Sequence, residues 1–184
     1  MLYGDYNPSG KLPMSFPRSV GQLPLYYNYK STGRPGADGT DAGSVFWSHY
    51  GDEKNTPLYP FGYGLSYTTF EYSNIRLSSN TLDLESSITA SVTVSNTGKV
   101  KGKEVVQMYI KDHFASTTRP VRELKGFELL SIEPGASVDV QFEISKEDLE
   151  FYTENKIWEA EPGAFTVFIG TNSATKRFAA FTLR

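Results

Sequence analysis

Four stretches of the chain alternate apolar and polar residues with a strict period of two, the pattern of a strand with one buried face. Ile88, Ala90, Val92 and Val94 alternate with Thr89, Ser91, Thr93 and Ser95, and Val106, Met108 and Ile110 alternate with Gln107 and Tyr109. Val138, Val140, Phe142 and Ile144 stand opposite Asp139, Gln141 and Glu143, and Phe165, Val167 and Ile169 complete the set. Asn96-Thr97-Gly98, Glu133-Pro134-Gly135 and Glu161-Pro162-Gly163 supply turns around them. Weaker strands are expected over 70–77, 122–130 and 177–183. Ser145 with Asp148 three residues on resembles a capping box, which predicts one short helical turn over 146–152. About seven strands in roughly 115 residues predict a mainly β fold, an immunoglobulin- or fibronectin III-like sandwich.

Composition excludes several classes. Of 184 residues 39% are hydrophobic, with 12 Tyr and 12 Phe, which is too apolar and aromatic for a disordered chain. No apolar run approaches the ~20 residues of a bilayer span, so a soluble domain without a membrane partner is expected. The net charge is -3 and the basic residues are scattered, so no stripe exists to neutralise a phosphate backbone and no nucleic-acid partner is expected. With zero Cys there is neither a disulfide framework nor a thiolate metal site. Met1 to Asp5 lacks the basic and apolar regions of a signal peptide, so any export signal would lie in sequence upstream.

Before Tyr67 the character of the chain changes. From Asp5 to Gly64 it is crowded with Gly, Pro, Asn, Ser and Tyr and shows almost no periodicity. A structureless stretch of that length is unusual in a compact domain, so support from outside the chain is expected. Residues 11–16 alternate Leu12, Met14 and Phe16 with Pro13 and Ser15, and the proline limits them to an edge strand or strand end. Met1 to Tyr3 followed by Gly4 reads as the last turn of a helix, so the chain is expected to start inside a domain.

Catalytic and ligand motifs are sparse. His49 and His113 are the only histidines, with no metal-ligand spacing around them, and each is read as an exposed or hydrogen-bonded surface residue. A phosphate loop at Gly10-Lys11 is excluded, because Asp5 stands where the first glycine is needed and Leu12 where the hydroxyl is needed. Asp38 and Asp41 lack the further carboxylates of a calcium shell, so no metal and no cofactor are assigned. One loop does gather sugar-binding chemistry: Phe46, Trp47, His49, Tyr50 and Asp52. An aromatic face packs on a pyranose while a carboxylate accepts from its hydroxyls, making Trp47, Tyr50 and Asp52 the substrate-binding candidates. Packing of Trp47 and Tyr50 against a neighbouring domain is the competing and favoured reading. The adjacent Asp52 and Glu53 do not by themselves supply the carboxylate pair of a glycosidase.

Longer stretches carry a family resemblance. Residues 4–17 (GDYNPSGKLPMSFP), Gly21-Gln22-Leu23-Pro24, Tyr26-Tyr27-Asn28, Thr32-Gly33-Arg34-Pro35 and residues 57–72 (PLYPFGYGLSYTTFEY) resemble the closing part of a family 3 glycoside hydrolase of the periplasmic β-glucosidase type. Residues 92–109 (VTVSNTGKVKGKEVVQMY), 119–127 (RPVRELKGF) and 162–171 (PGAFTVFIGT) are similar to that family's fibronectin III-like domain. The resemblance implies a barrel carrying a nucleophilic Asp and an α/β sandwich carrying an acid/base Glu, both upstream, so no catalytic residue is assigned here. It divides the chain into the end of the α/β sandwich (1–17), a linker and loop segment (18–66) and the fibronectin III-like domain (67–184). The implied role is an accessory part of a retaining β-glucosidase. Its implied partners are the upstream catalytic domains, a β-linked oligosaccharide held by the parent enzyme, and a second copy in a homodimer. The implied location is periplasmic or secreted. A free-standing carbohydrate-binding module is the alternative.

Overall fold

The computed structural model describes residues 2–31 and 48–184. Its strands are β1 (Phe70–Tyr72), β2 (Arg76–Leu77), β3 (Thr81–Leu82), β4 (Ser87–Asn96), β5 (Gly102–Asp112), β6 (Glu123–Ile132), β7 (Ser137–Ser145), β8 (Phe151–Tyr152), β9 (Trp158–Glu159), β10 (Gly163–Gly170) and β11 (Phe178–Leu183). A helical turn, α1 (Lys146–Leu149), follows β7, and a 3-10 turn spans Val20–Gln22.

β4 organises one sheet. It pairs antiparallel with β7 from Ser87↔Ser145 to Ser95↔Ser137, and its other edge is shared by β1 and β2. The second sheet runs β3-β11-β10-β5-β6, antiparallel except for the short parallel β3 contact. The predicted alternation places the side chains: Ile88, Ala90, Val92 and Val94 face Val106, Met108, Ile110, Phe165, Val167 and Ile169 in one buried cluster. Each of the Val, Ile, Met and Phe side chains among them contributes about 1.5 to 3 kcal/mol when buried. Among the described residues every buried member of this cluster lies from Leu82 to Leu183, and none comes from the stretch before Tyr67.

Several local expectations need correction. The stretch 70–77 is two strands: the Ser73 N–H still donates to Thr93 O, but the Ser73 hydroxyl, in place of its carbonyl, accepts from Thr93 N. Helix stops at Leu149, and Phe151 turns inward to start the β8–β9 hairpin. The expected capping box of Ser145 and Asp148 is present, with Asp148 accepting from the Ser145 backbone N–H at 3.0 Å, and the Ser145 hydroxyl also donates to Glu147. Residues 11–16 form no strand; Phe16 alone bridges Tyr59. Leu2 and Tyr3 form a turn rather than helix, while Gly4 takes φ +86. Glu133-Pro134-Gly135 makes the expected turn, with Gly135 at φ +75 and the Ala136 N–H donating to Glu133 O. Gly163 instead opens β10.

Candidate functional site

The outer face of β5 shows where the irregular segment goes. Gln107 and Tyr109 point away from the core yet are buried, at 3% and 0% exposure. Tyr27 stacks on Phe61 at 4.2 Å and meets Tyr109 edge-on at 6.0 Å. Gln107 Nε2 donates to Gly62 O and Thr171 O, and its Oε1 accepts from the Tyr109 hydroxyl. Gly62 sits at φ +78, and a Cβ there would lie 2.0 Å from Gln107 Oε1, so only glycine permits this approach. Part of the support for the described segment therefore comes from the sandwich itself.

A second tie crosses at one end of the inner face. Glu104, 3% exposed, follows the inward phase of Val106 and Met108 but is charged. Lys11 Nζ donates to Glu104 Oε2 at 3.0 Å and to Thr171 Oγ1 at 2.7 Å, and the Tyr72 hydroxyl donates to Glu104 Oε1 at 2.7 Å. Burial, and then the neighbouring Glu104 charge, push the Tyr72 hydroxyl well above its ordinary pKa, which keeps it a donor. These groups and Arg177 line a cleft of about 930 Å³, to which Tyr50 and Asp52 do not contribute.

The segment leaves the sandwich and returns through a hydrogen-bonded neck. Leu12 N–H donates to Tyr63 O, Phe16 N–H to Tyr59 O, Leu58 N–H to Phe16 O and Gly62 N–H to Leu12 O. Further out, Arg18 Nε donates to Thr56 O at 2.9 Å, and the buried Gln22 side chain reaches Lys54 O and Thr56 O. Asn55 closes the returning bend: its Oδ1 accepts from Tyr50 N and its Nδ2 donates to Ser48 O. The outgoing arm lies on the sandwich, where Val121 N–H donates to Tyr29 O.

Of the substrate-binding candidates, Tyr50 and Asp52 lie in that bend and both are exposed, Tyr50 at 41%. Trp47 lies outside the described residues, as do Phe46, Asp38 and Asp41. His49 is exposed, and His113 is exposed with Nε2 2.8 Å from Thr166 Oγ1. Among the described residues no three His, Cys, Asp or Glu side chains converge on one point. Sequence reading missed Gln22, Arg18 and Asn55, which shape the loop, and Lys11, Glu104 and Gln107, which seat the segment. The charged Glu104 at an inward strand position was the one available signal.

The arginines of the 119–127 motif act as pins. Arg119 lies 4.4 Å over the Phe151 ring, donates to Glu123 at 2.7 Å and pairs with Asp112 at 3.5 Å. Burial raises the Asp112 pKa, and Arg119 offsets part of that rise. Arg122 lies over Phe168 and donates to Ser173 O and Thr175 O. These contacts fasten the hairpin and the β10–β11 loop.

Comparison with known proteins fits this layout. Residues 1–67 match the glycosyl hydrolase family 3 C-terminal domain, and residues 104–173 match the fibronectin type III-like domain. A periplasmic β-glucosidase of Salmonella typhimurium is 52% identical over 183 residues, covering 100% of this chain and 24% of that protein. A putative β-xylosidase of Formosa agariphila is 45% identical, covering 100% of this chain and 23% of that protein. The crystal structure of a Listeria innocua β-glucosidase in complex with glucose superposes with a TM-score of 0.93 at 43% identity, over 99% of this chain and 25% of that one. The chain thus spans about a quarter of the length of these relatives. Two family models in tandem, one over the docked segment and one over the sandwich, identify the chain as a member of family 3 of the glycoside hydrolases, corresponding to their C-terminal region with its fibronectin type III-like domain.

Proposed function

We propose that the chain is the accessory, structural part of a retaining, exo-acting β-glucosidase, packing on upstream catalytic domains and holding the linker loop. The observation that carries this reading is the exposure of apolar side chains along the docked segment: Leu2 at 95%, Tyr3 at 93%, Val20 at 84% and Leu65 at 71%. Apolar side chains concentrated on one segment mark a surface that meets another protein surface. The division into 1–17, 18–66 and 67–184 belongs to this reading, with nucleophile and proton donor upstream. Tyr50 and Asp52, with Trp47, would border the outer sugar site of a β-linked oligosaccharide. The periplasmic relative supports a periplasmic or secreted location. In a homodimer a second copy would pack on edge strand β6, where Phe127 and Leu129 are 68% and 55% exposed. The test is complementation. The chain alone should leave an aryl β-glucoside intact, and adding a separately produced upstream catalytic part should restore hydrolysis. Turnover by the purified chain alone would refute the assignment.

A second reading, a carbohydrate-binding module, is favoured by one feature. Tyr152 and Trp158 form an exposed ring pair on the β8–β9 hairpin, with centroids 5.8 Å apart. Retention on insoluble β-glucan that is lost in Trp158→Ala would select it.

A further inference from the structure

The bend carrying Tyr50 and Asp52 is exposed, yet its far side rests on one buried side chain. Gln22 is 2% exposed and uses both ends of its amide. Its Oε1 accepts from Arg18 N at 2.6 Å, and its Nε2 donates to Lys54 O at 2.7 Å and Thr56 O at 3.4 Å. The outgoing chain at Arg18 is thereby joined to the returning chain at 54–56. Asn55 lies between those two carbonyls and passes the constraint to Tyr50 N and Ser48 O.

We infer that Gln22 is a positioning residue for the 48–56 bend, and through it for Tyr50 and Asp52; the sugar consequence rests on the outer-site reading above. The chemistry requires an amide. The side chain must accept from one N–H and donate to carbonyls, which glutamine does and glutamate, acceptor-only when ionised, does not. Gln22→Glu keeps the shape but sets a carboxylate against Lys54 O and Thr56 O, so that Lys54 O loses the Gln22 donor and Thr56 O keeps only Arg18 Nε. The 3-10 turn at Val20–Gln22, which aims the side chain inward, need not change. Arg18, with Nε on Thr56 O and 3.8 Å from Glu53, is the second tie and limits the effect to a local opening.

Trypsin reads this directly, because the carbonyl held by Gln22 belongs to the Lys54–Asn55 bond. Cleavage in a native protein follows the free energy of local opening. In the 184-residue chain, Gln22→Glu should speed cleavage after Lys54 about tenfold, the loss of one to two hydrogen bonds, with cleavage after Lys156 in the β8–β9 turn unchanged. Asn55→Ala, which leaves the buried amide in place, should also raise Lys54 cleavage and guards against a folding defect in the first variant. Unchanged Lys54 cleavage in Gln22→Glu, or equal acceleration at Lys156, would overturn the inference. In a full-length enzyme, Gln22→Glu and Tyr50→Ala should both lower selectivity for a disaccharide over an aryl glucoside. If Lys54 opens but neither variant shifts selectivity, the anchoring role stands and the outer-site reading falls. If Tyr50→Ala shifts selectivity and an opened Gln22→Glu does not, the positioning of Tyr50 by Gln22 is refuted.

Discussion

Asn96 shows how one polar residue can be buried without cost to the fold. At 1% exposure its Oδ1 accepts from Thr68 Oγ1 and Gly98 N, and its Nδ2 donates to Val100 O and Ile132 O. The turn residue of the sequence pattern is thus a buried junction between the two sheets. An inward charge has no such partners. Val92→Asp or Val140→Asp, at 0% and 1% exposure, should destabilise by about 4 kcal/mol or more and abolish the cooperative melt. A melt at the unmutated temperature would mean that the strand faces are reversed. A smaller effect is expected at His113, an exposed residue whose pKa is lowered by the partial desolvation of its ring and then by Lys111. Its folded pKa lies below the unfolded value of 6.5, so the unfolded chain binds more protons in that window. Its contribution is present above the unfolded value and is lost as pH falls through it toward the folded pKa. The melting temperature should therefore drop more between pH 7.5 and 5.5 (about two units around the histidine range) in the parent chain than in His113→Gln. Parallel pH profiles would remove His113 from the balance.

At the scale of elements, β4, β5, β7 and β10 were legible because burial on one face writes a period of two into the sequence. The ends were less legible. Phe151 belongs to a hairpin and not to α1, because packing under Arg119 outweighs local helical preference. The docked segment was illegible for a different reason: its order comes from contacts to residues about 30 to 160 positions away, such as Gln22 to Lys54, Tyr27 to Tyr109 and Lys11 to Thr171. Periodicity carries no record of such contacts. Gly62→Ala tests the docking from one side. The φ of +78 and the collision with Gln107 together should cost roughly 2 to 4 kcal/mol. The segment should become susceptible to trypsin at Lys11 while β4 to β11 keep their amide protection. The buried Lys11–Glu104 pair tests it from the other. Lys11→Met alone should cost about 3 to 5 kcal/mol by stranding the Glu104 charge, and Lys11→Met with Glu104→Leu should recover much of that loss. A double variant as unstable as the sum of the singles would show that the two residues do not interact.

For the whole molecule, the described residues before Tyr67 cover the core that follows and are not members of it. Among the described residues the buried core members run from Leu82 to Leu183, so 67–184 has what it needs to fold by itself. What it would lose is the cover on the outer face of β5: Tyr27 and Phe61 over Tyr109, Gly62 against Gln107, and Lys11 on Glu104. Uncovered, Gln107 and Glu104 meet water and are not stranded, so their loss is small; the aromatic contacts account for most of the difference. Burial and stacking of these rings sum to on the order of 3 to 6 kcal/mol. Against a typical domain stability of about 5 to 15 kcal/mol, that leaves a folded but weakened sandwich. Residues 67–184 produced alone should therefore melt cooperatively, roughly 15 °C below the 184-residue chain, with native near-UV circular dichroism. The uncovered ring of Tyr109 should promote self-association at high concentration. Equal melting temperatures would show that docking adds no stability, whereas absence of a cooperative melt would show that residues 2–66 help to build the core and do more than cover it.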